Sequence, residues 1–151
     1  MKVFLTVTTK DMAYRQKSFD LKLCPIYGTL MSNDTKILPA MFFKSTLGKE
    51  PVRDWLKDLD KEDRAIIGAD IKTVEFGWPI GMPTCRSLTG RKDLWEIRSK
   101  ITDGKIARVF FFTHGGKMIL LHGIVKKTQK TPESDLDLAM KRKKEFEQYA
   151  K

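Results

Sequence analysis

The sequence predicts an α+β fold, with an α-hairpin and a C-terminal helix packed on a small antiparallel β-sheet. Three observations predict it. Two tight-turn signals, Thr102-Asp103-Gly104-Lys105 and His114-Gly115-Gly116-Lys117, join three strand-like runs into a meander. Ahead of them, residues 50–77 hold two amphipathic helical stretches. Behind them, residues 132–149 place Leu136, Ala139, Met140, Phe146 and Tyr149 on one helical stripe, with Lys143 at its edge and Lys141, Arg142 and Lys144 opposite.

Residues 1–36 carry no helical period. Runs at 3–7 and 21–27 are short strand candidates, interrupted by Pro25, Gly28 and a polar stretch. Met31 and Met41 are both candidate translation starts. The segment 1–36 is therefore expected to be a dispensable appendage to a domain spanning 37–151. A first strand is expected over 37–45. The first helix opens near Glu50, with Pro51 in its first turn and Val52, Trp55, Leu56 and Leu59 on one face. Asp60 and Asp63 have the spacing of a cap for the second helix, whose apolar face is Ile66, Ile67, Ile71 and Val74. Gly77 and Pro79 end it. The many acids and bases of this hairpin describe a solvated, ion-paired surface.

A short strand is expected over 85–88. Residues 94–101 alternate, with Trp95, Ile97 and Ile101 on one face and Glu96, Arg98 and Lys100 on the other. Strands at 106–113 and 118–125 follow, each after a two-residue hairpin. Thr131, Pro132 and Glu133 make a helix start: threonine caps, proline fits the first helical position, and glutamate suits the first turn. Lys126, Lys127 and Lys130 thus lie on a link between a buried strand and a helix.

The chain has 151 residues, 41% hydrophobic and 32% charged, with a formal charge of +10. That composition is globular, and the charge favours a polyanionic partner. Cys24 and Cys85 make neither a disulfide framework nor a zinc pattern, which suits a reducing cytosol. No run approaches the ~20 apolar residues of a membrane span.

Between residues 86 and 108 stand seven bases (Arg86, Arg91, Lys92, Arg98, Lys100, Lys105, Arg108) and three acids. Arg98 and Arg108 lie in strands joined by a tight turn and come close across the ladder. Half-buried arginines need an anion. It is either an internal carboxylate, from Glu96, Glu75 or a helix, or a phosphate held by the guanidinium fork. His122, in mid-strand, is either a satisfied core histidine or an acid–base group. His114 is an exposed turn residue. The acids show no ligand spacing with histidine, and no phosphate-cradling glycine loop or nucleophile triad is present. Chemistry on this chain is expected to use cations, with no cofactor and no metal.

The runs Leu94-Trp-Glu-Ile-Arg98, Ala107-Arg-Val-Phe-Phe-Phe112 and Ala139-Met-Lys-Arg142, and above all Leu121-His-Gly-Ile-Val-Lys-Lys-Thr-Gln-Lys-Thr-Pro132, resemble the phage-derived HigB-type toxins of the RelE/ParE superfamily. The resemblance covers about 37–151 and implies a RelE/ParE-like α+β toxin. It implies a ribosome-dependent, metal-independent mRNA endonuclease in which the 2′-OH attacks the adjacent phosphate. Carried onto this sequence, Arg98 and Arg108 stabilise the phosphate, and His122 or a lysine such as Lys127 moves protons. Arg86, Arg91, Lys100, Lys126 and Lys130 bind RNA. The implied partners are the ribosome with its mRNA and a helix-turn-helix antitoxin, with DNA reached only through the antitoxin and no membrane. A gyrase-inhibiting ParE-like toxin and a non-catalytic nucleic-acid-binding phage remnant are the competing readings.

Overall fold

The computed structural model describes residues 35–126 and 130–150. The strands expected within the first 34 residues, and Lys127, lie outside them. The chain runs β1 (Ala40–Phe42), α1 (Pro51–Asp58), α2 (Lys61–Gly77), β2 (Cys85–Ser87), β3 (Trp95–Lys100), β4 (Ile106–His114), β5 (Lys117–Lys126) and α3 (Glu133–Tyr149). The five strands form one sheet in the order β1-β5-β4-β3-β2. The expected α+β elements are all present, but the sheet is mixed: β1 pairs parallel to β5, Ala40 against Met118 and Phe42 against Leu120. The turn signals set direction only where a hairpin joins neighbours. The whole α-hairpin and three other strands separate β1 from β5 in sequence.

Each face of the sheet buries its own apolar cluster, because strand side chains alternate. Ile97, Val109, Phe111, Met118 and Leu120 pack beneath the α-hairpin against Val52, Ile67, Ile71 and Val74. Leu94, Phe110, Phe112, Ile119 and Leu121 pack beneath Ala139 and Phe146 of α3. A register shift between Phe110 and Phe111 interrupts the β4–β5 ladder, with Phe110 opposite His122 and Phe111 opposite Leu120. Leu121 is the extra residue, so it and His122 both serve the α3 side. Gly123 lets α1 approach β5: a Cβ there would stand 2.2 Å from the Trp55 ring.

The hairpins follow the glycines. Gly115 and Gly116 both take positive φ (55° and 71°) and join His114 to Lys117 by two residues. The β3–β4 turn is longer than expected. Ile101 N–H donates to the Lys105 carbonyl at 3.0 Å, leaving Thr102–Gly104 as a three-residue turn. The reason lies in α2. Asp63 does not cap its own helix; its carboxylate accepts from the Thr102 N–H (3.0 Å) and hydroxyl (2.8 Å). These bonds hold the Asp63 carboxyl below the usual carboxylate range.

The start of α3 also departs from expectation. Pro132 takes the cap position and Glu133 is the first helical residue, with no side-chain cap bond. Two further α3 residues sit differently from the stripe reading. Lys143 is buried, donating to the Lys92 carbonyl at 3.0 Å and lying 5.5 Å from the Phe112 ring centroid. Arg142 turns inward, donating to the Leu121 carbonyl at 2.9 Å. Among the described residues no helix is long and apolar enough to cross a membrane.

Candidate functional site

The register of the sheet gathers the cations. Arg98 pairs with Arg108 across β3 and β4, and Glu96 is two residues along β3 from Arg98. Arg86 of β2 stands opposite Glu96, and Lys126 ends β5 opposite Ile106. Alternation puts Glu96, Arg98, Arg108 and Lys126 on the α3 side of the sheet, where α3 begins.

Glu96 is the hub. It has no exposed surface, and its carboxylate takes Arg86 Nε at 2.6 Å, Arg108 Nη1 at 3.3 Å and Arg98 Nε at 4.0 Å. The internal-carboxylate reading of the arginines is therefore right as far as Glu96 goes. One carboxylate does not neutralise three guanidiniums, however, and Lys126 adds a fourth cation. Arg98 keeps 26% of its side-chain surface exposed, and its planar guanidinium suits a phosphate.

Arg108 is 3% exposed, and its Nη1 also donates to the Thr131 hydroxyl at 2.6 Å. Thr131, expected to cap α3, instead ties the start of the helix to the site. Lys126 is 8% exposed, and its ammonium has no hydrogen-bond partner among the described residues. Burial pushes its pKa below the ordinary lysine value, and the nearby Arg108 charge pushes the same way.

His122 is held on both sides. Its Nε2 lies 2.9 Å from Asp135 Oδ1, and its Nδ1 lies 3.0 Å from Arg142 Nη1. Arginine only donates, so Nδ1 accepts and Nε2 carries the proton that Asp135 receives. Its ring stacks on Phe110 at 6.2 Å. Burial, with the Arg142 charge adding to it, lowers the imidazole pKa against the pull of Asp135. The arrangement keeps His122 neutral and leaves neither ring nitrogen open for proton transfer.

The remaining predicted residues divide. Arg86 joins the hub. Arg91 turns to α3, bound to Glu133 at 2.7 Å and Asp137 at 2.6 Å, so its charge is already met inside the fold. Lys100 and Lys130 are exposed. Two contributors escaped the sequence reading. Thr131 carried only a helix-start signal, and Arg142 was placed on the outer face because a helical period alone does not say which ridge meets the sheet. Among the described residues no three His, Cys, Asp or Glu side chains come together in a metal-holding group.

A family model described as phage-derived Gp49-like proteins (DUF891) matches residues 54–144, more than half of the chain. The matched span runs from α1 into α3 and contains every residue of the cationic site. No curated protein matches the chain.

Proposed function

Because the chain belongs to the phage-derived Gp49-like family, itself RelE/ParE-like, we propose that it is the toxin of a type II toxin–antitoxin pair and cuts mRNA on the ribosome. The observation that carries the reading is the excess of cations around one buried carboxylate, with a buried ammonium beside it. A scissile phosphate is an anion that this cation-rich set suits.

In the proposed reaction the 2′-oxygen of the RNA forms a bond to the adjacent phosphorus and the bond to the 5′-oxygen breaks. A 2′,3′-cyclic phosphate results. Negative charge builds on the non-bridging oxygens in the transition state, and fixed guanidiniums placed there stabilise it more than they stabilise the starting diester. Arg98 and Arg108 take that role. Glu96 holds them in place, and Thr131 fixes the tilt of Arg108. The proton leaving the 2′-OH needs an acceptor, and the departing 5′-oxygen needs a donor. Lys126 fits this exchange better than His122, because its pKa is lowered and its ammonium has no hydrogen-bond partner among the described residues. Lys100 and Lys130, both exposed, contribute to the backbone-binding rim. An antitoxin covering this face would neutralise it.

The test is induction of the full chain in bacteria, with mapping of mRNA 5′ ends. Growth arrest with cuts inside translated codons, lost in Arg98→Ala and Lys126→Ala chains that fold normally, supports the assignment. Arrest without such cuts directs attention to gyrase. Cuts that persist at the same rate in both variants remove these residues from the chemistry.

A further inference from the structure

β2 stops pairing where Cys85 meets Ile97, so the rest of β3 runs past its end. A cleft of about 380 Å³ opens at this edge, between β3 and α2. Ile66, Pro83 and Ile106 give it apolar walls, and Arg98, Lys100 and Asp70 give it charge. Arg98 is shared: its Nε lies 4.0 Å from Glu96, and the residue also lines the cleft. Arg98 thus borders both the cleft and the cationic site. Ile66 and Asp70 are four residues apart on α2, one helical turn, so they present to the same opening.

We propose that this cleft is a nucleobase subsite, taking the base of the nucleotide that adjoins the phosphate held by Arg98. The inference rests on the RNA-cutting reading above. Three features select a base over other occupants. The aliphatic walls from Ile66, Pro83 and Ile106 suit the apolar face of an aromatic ring. Arg98 and Lys100 give the opening a positive rim that a polyanionic chain must cross. Asp70 is half-buried on the cleft wall and makes no hydrogen bond or ion pair among the described residues, so its carboxylate can accept from a ligand there. The exocyclic amino groups of adenine, cytosine and guanine are such donors. Uracil has none, and presents only its ring N–H. The subsite therefore favours an amino-bearing base beside the cut.

The experiment uses the full chain with ¹³C-labelled isoleucine methyls, so that Ile66 and Ile106 report the cleft. Inorganic phosphate and the four nucleoside monophosphates are titrated separately. The expected result is that nucleotides move both methyls and phosphate alone moves neither. The amino-bearing nucleotides should bind about ten- to a hundredfold more tightly than the uridine nucleotide, the range set by one hydrogen bond to a charged group. Asp70→Ala, which removes the acceptor, should erase that order and leave phosphate binding unchanged. If nucleotides bind through their phosphate and leave the Ile66 and Ile106 methyls unmoved, the subsite is refuted and the phosphate site stands. Equal affinity for all four bases likewise refutes it. If neither phosphate nor any nucleotide binds, the cationic site itself is misread and the subsite falls with it.

Discussion

Gly123 and Lys126, three positions apart on β5, illustrate two kinds of single-residue control. Gly123 is set by volume. The Trp55 ring occupies the space of its missing side chain, so Gly123→Ala must displace α1 or bend β5. Overpacking of this kind costs about 1–3 kcal/mol, and a lowered urea midpoint would report it. Lys126 is set by charge. Its pKa in the folded state lies below the ordinary 10.5 of an unfolded chain. At neutral pH both states hold the proton, so the fold bears the whole cost of the buried ammonium. As pH rises through the lowered value, the folded state releases its proton first and the cost disappears. Lys126→Met should therefore be more stable than the parent at pH 7, and the gain should shrink as pH approaches 10.5. Denaturant titrations at the two pH values measure it; a gain independent of pH would mean that packing, and not charge, is responsible. The sequence disclosed the arginines of this site because a hairpin fixes which residues oppose each other. It disclosed Glu96 less well. Alternation assigned Glu96 to the polar face beside Arg98 and Lys100, and only its neighbours on β2 and β4 make that position fully buried.

At the scale of elements, α3 has two tasks. Its apolar stripe closes one face of the sheet, with Phe146 set edge-on to Phe112 at 5.6 Å and to His114 at 5.4 Å. Its first turns touch the site through Asp135 and His122, and Thr131 just ahead of it holds Arg108. Phe146→Ala should lower stability by about 3–5 kcal/mol, the usual cost of emptying a buried aromatic site. Calorimetry would show the loss. At temperatures where the variant remains folded, phosphate binding should be unchanged, because Phe146 packs in the apolar cluster with Phe112 and His114. The element pattern was legible because helical and strand periods differ, and because glycine pairs mark hairpins. The bonds that tie elements together were not. Thr131 with Arg108 spans 23 positions, and Asp63 with Thr102 spans 39. Both side chains have local uses as caps, and the long-range use prevails only in the assembled fold.

For the molecule as a whole, sequence separation sorts the sheet. The β3–β4 and β4–β5 ladders are built on tight turns, and such hairpins close within microseconds. β1 is different: it reaches β5 only by bringing Ala40 to Met118. Long closures lose more chain entropy and come late. Pulse-labelled hydrogen exchange during refolding should protect the Val109 amide before the Met118 amide, which donates to the Pro39 carbonyl at 2.9 Å. Simultaneous protection would mean that β1 joins the sheet with the hairpins. On this expectation the sheet assembles from its middle outward, and β1, the first of its strands in the chain, is the last to be joined. Until then the outer edge of β5 is an open template, with Met118, Ile119 and Leu120 along it. A short strand three residues long is what stands between this fold and edge-to-edge association of its intermediates.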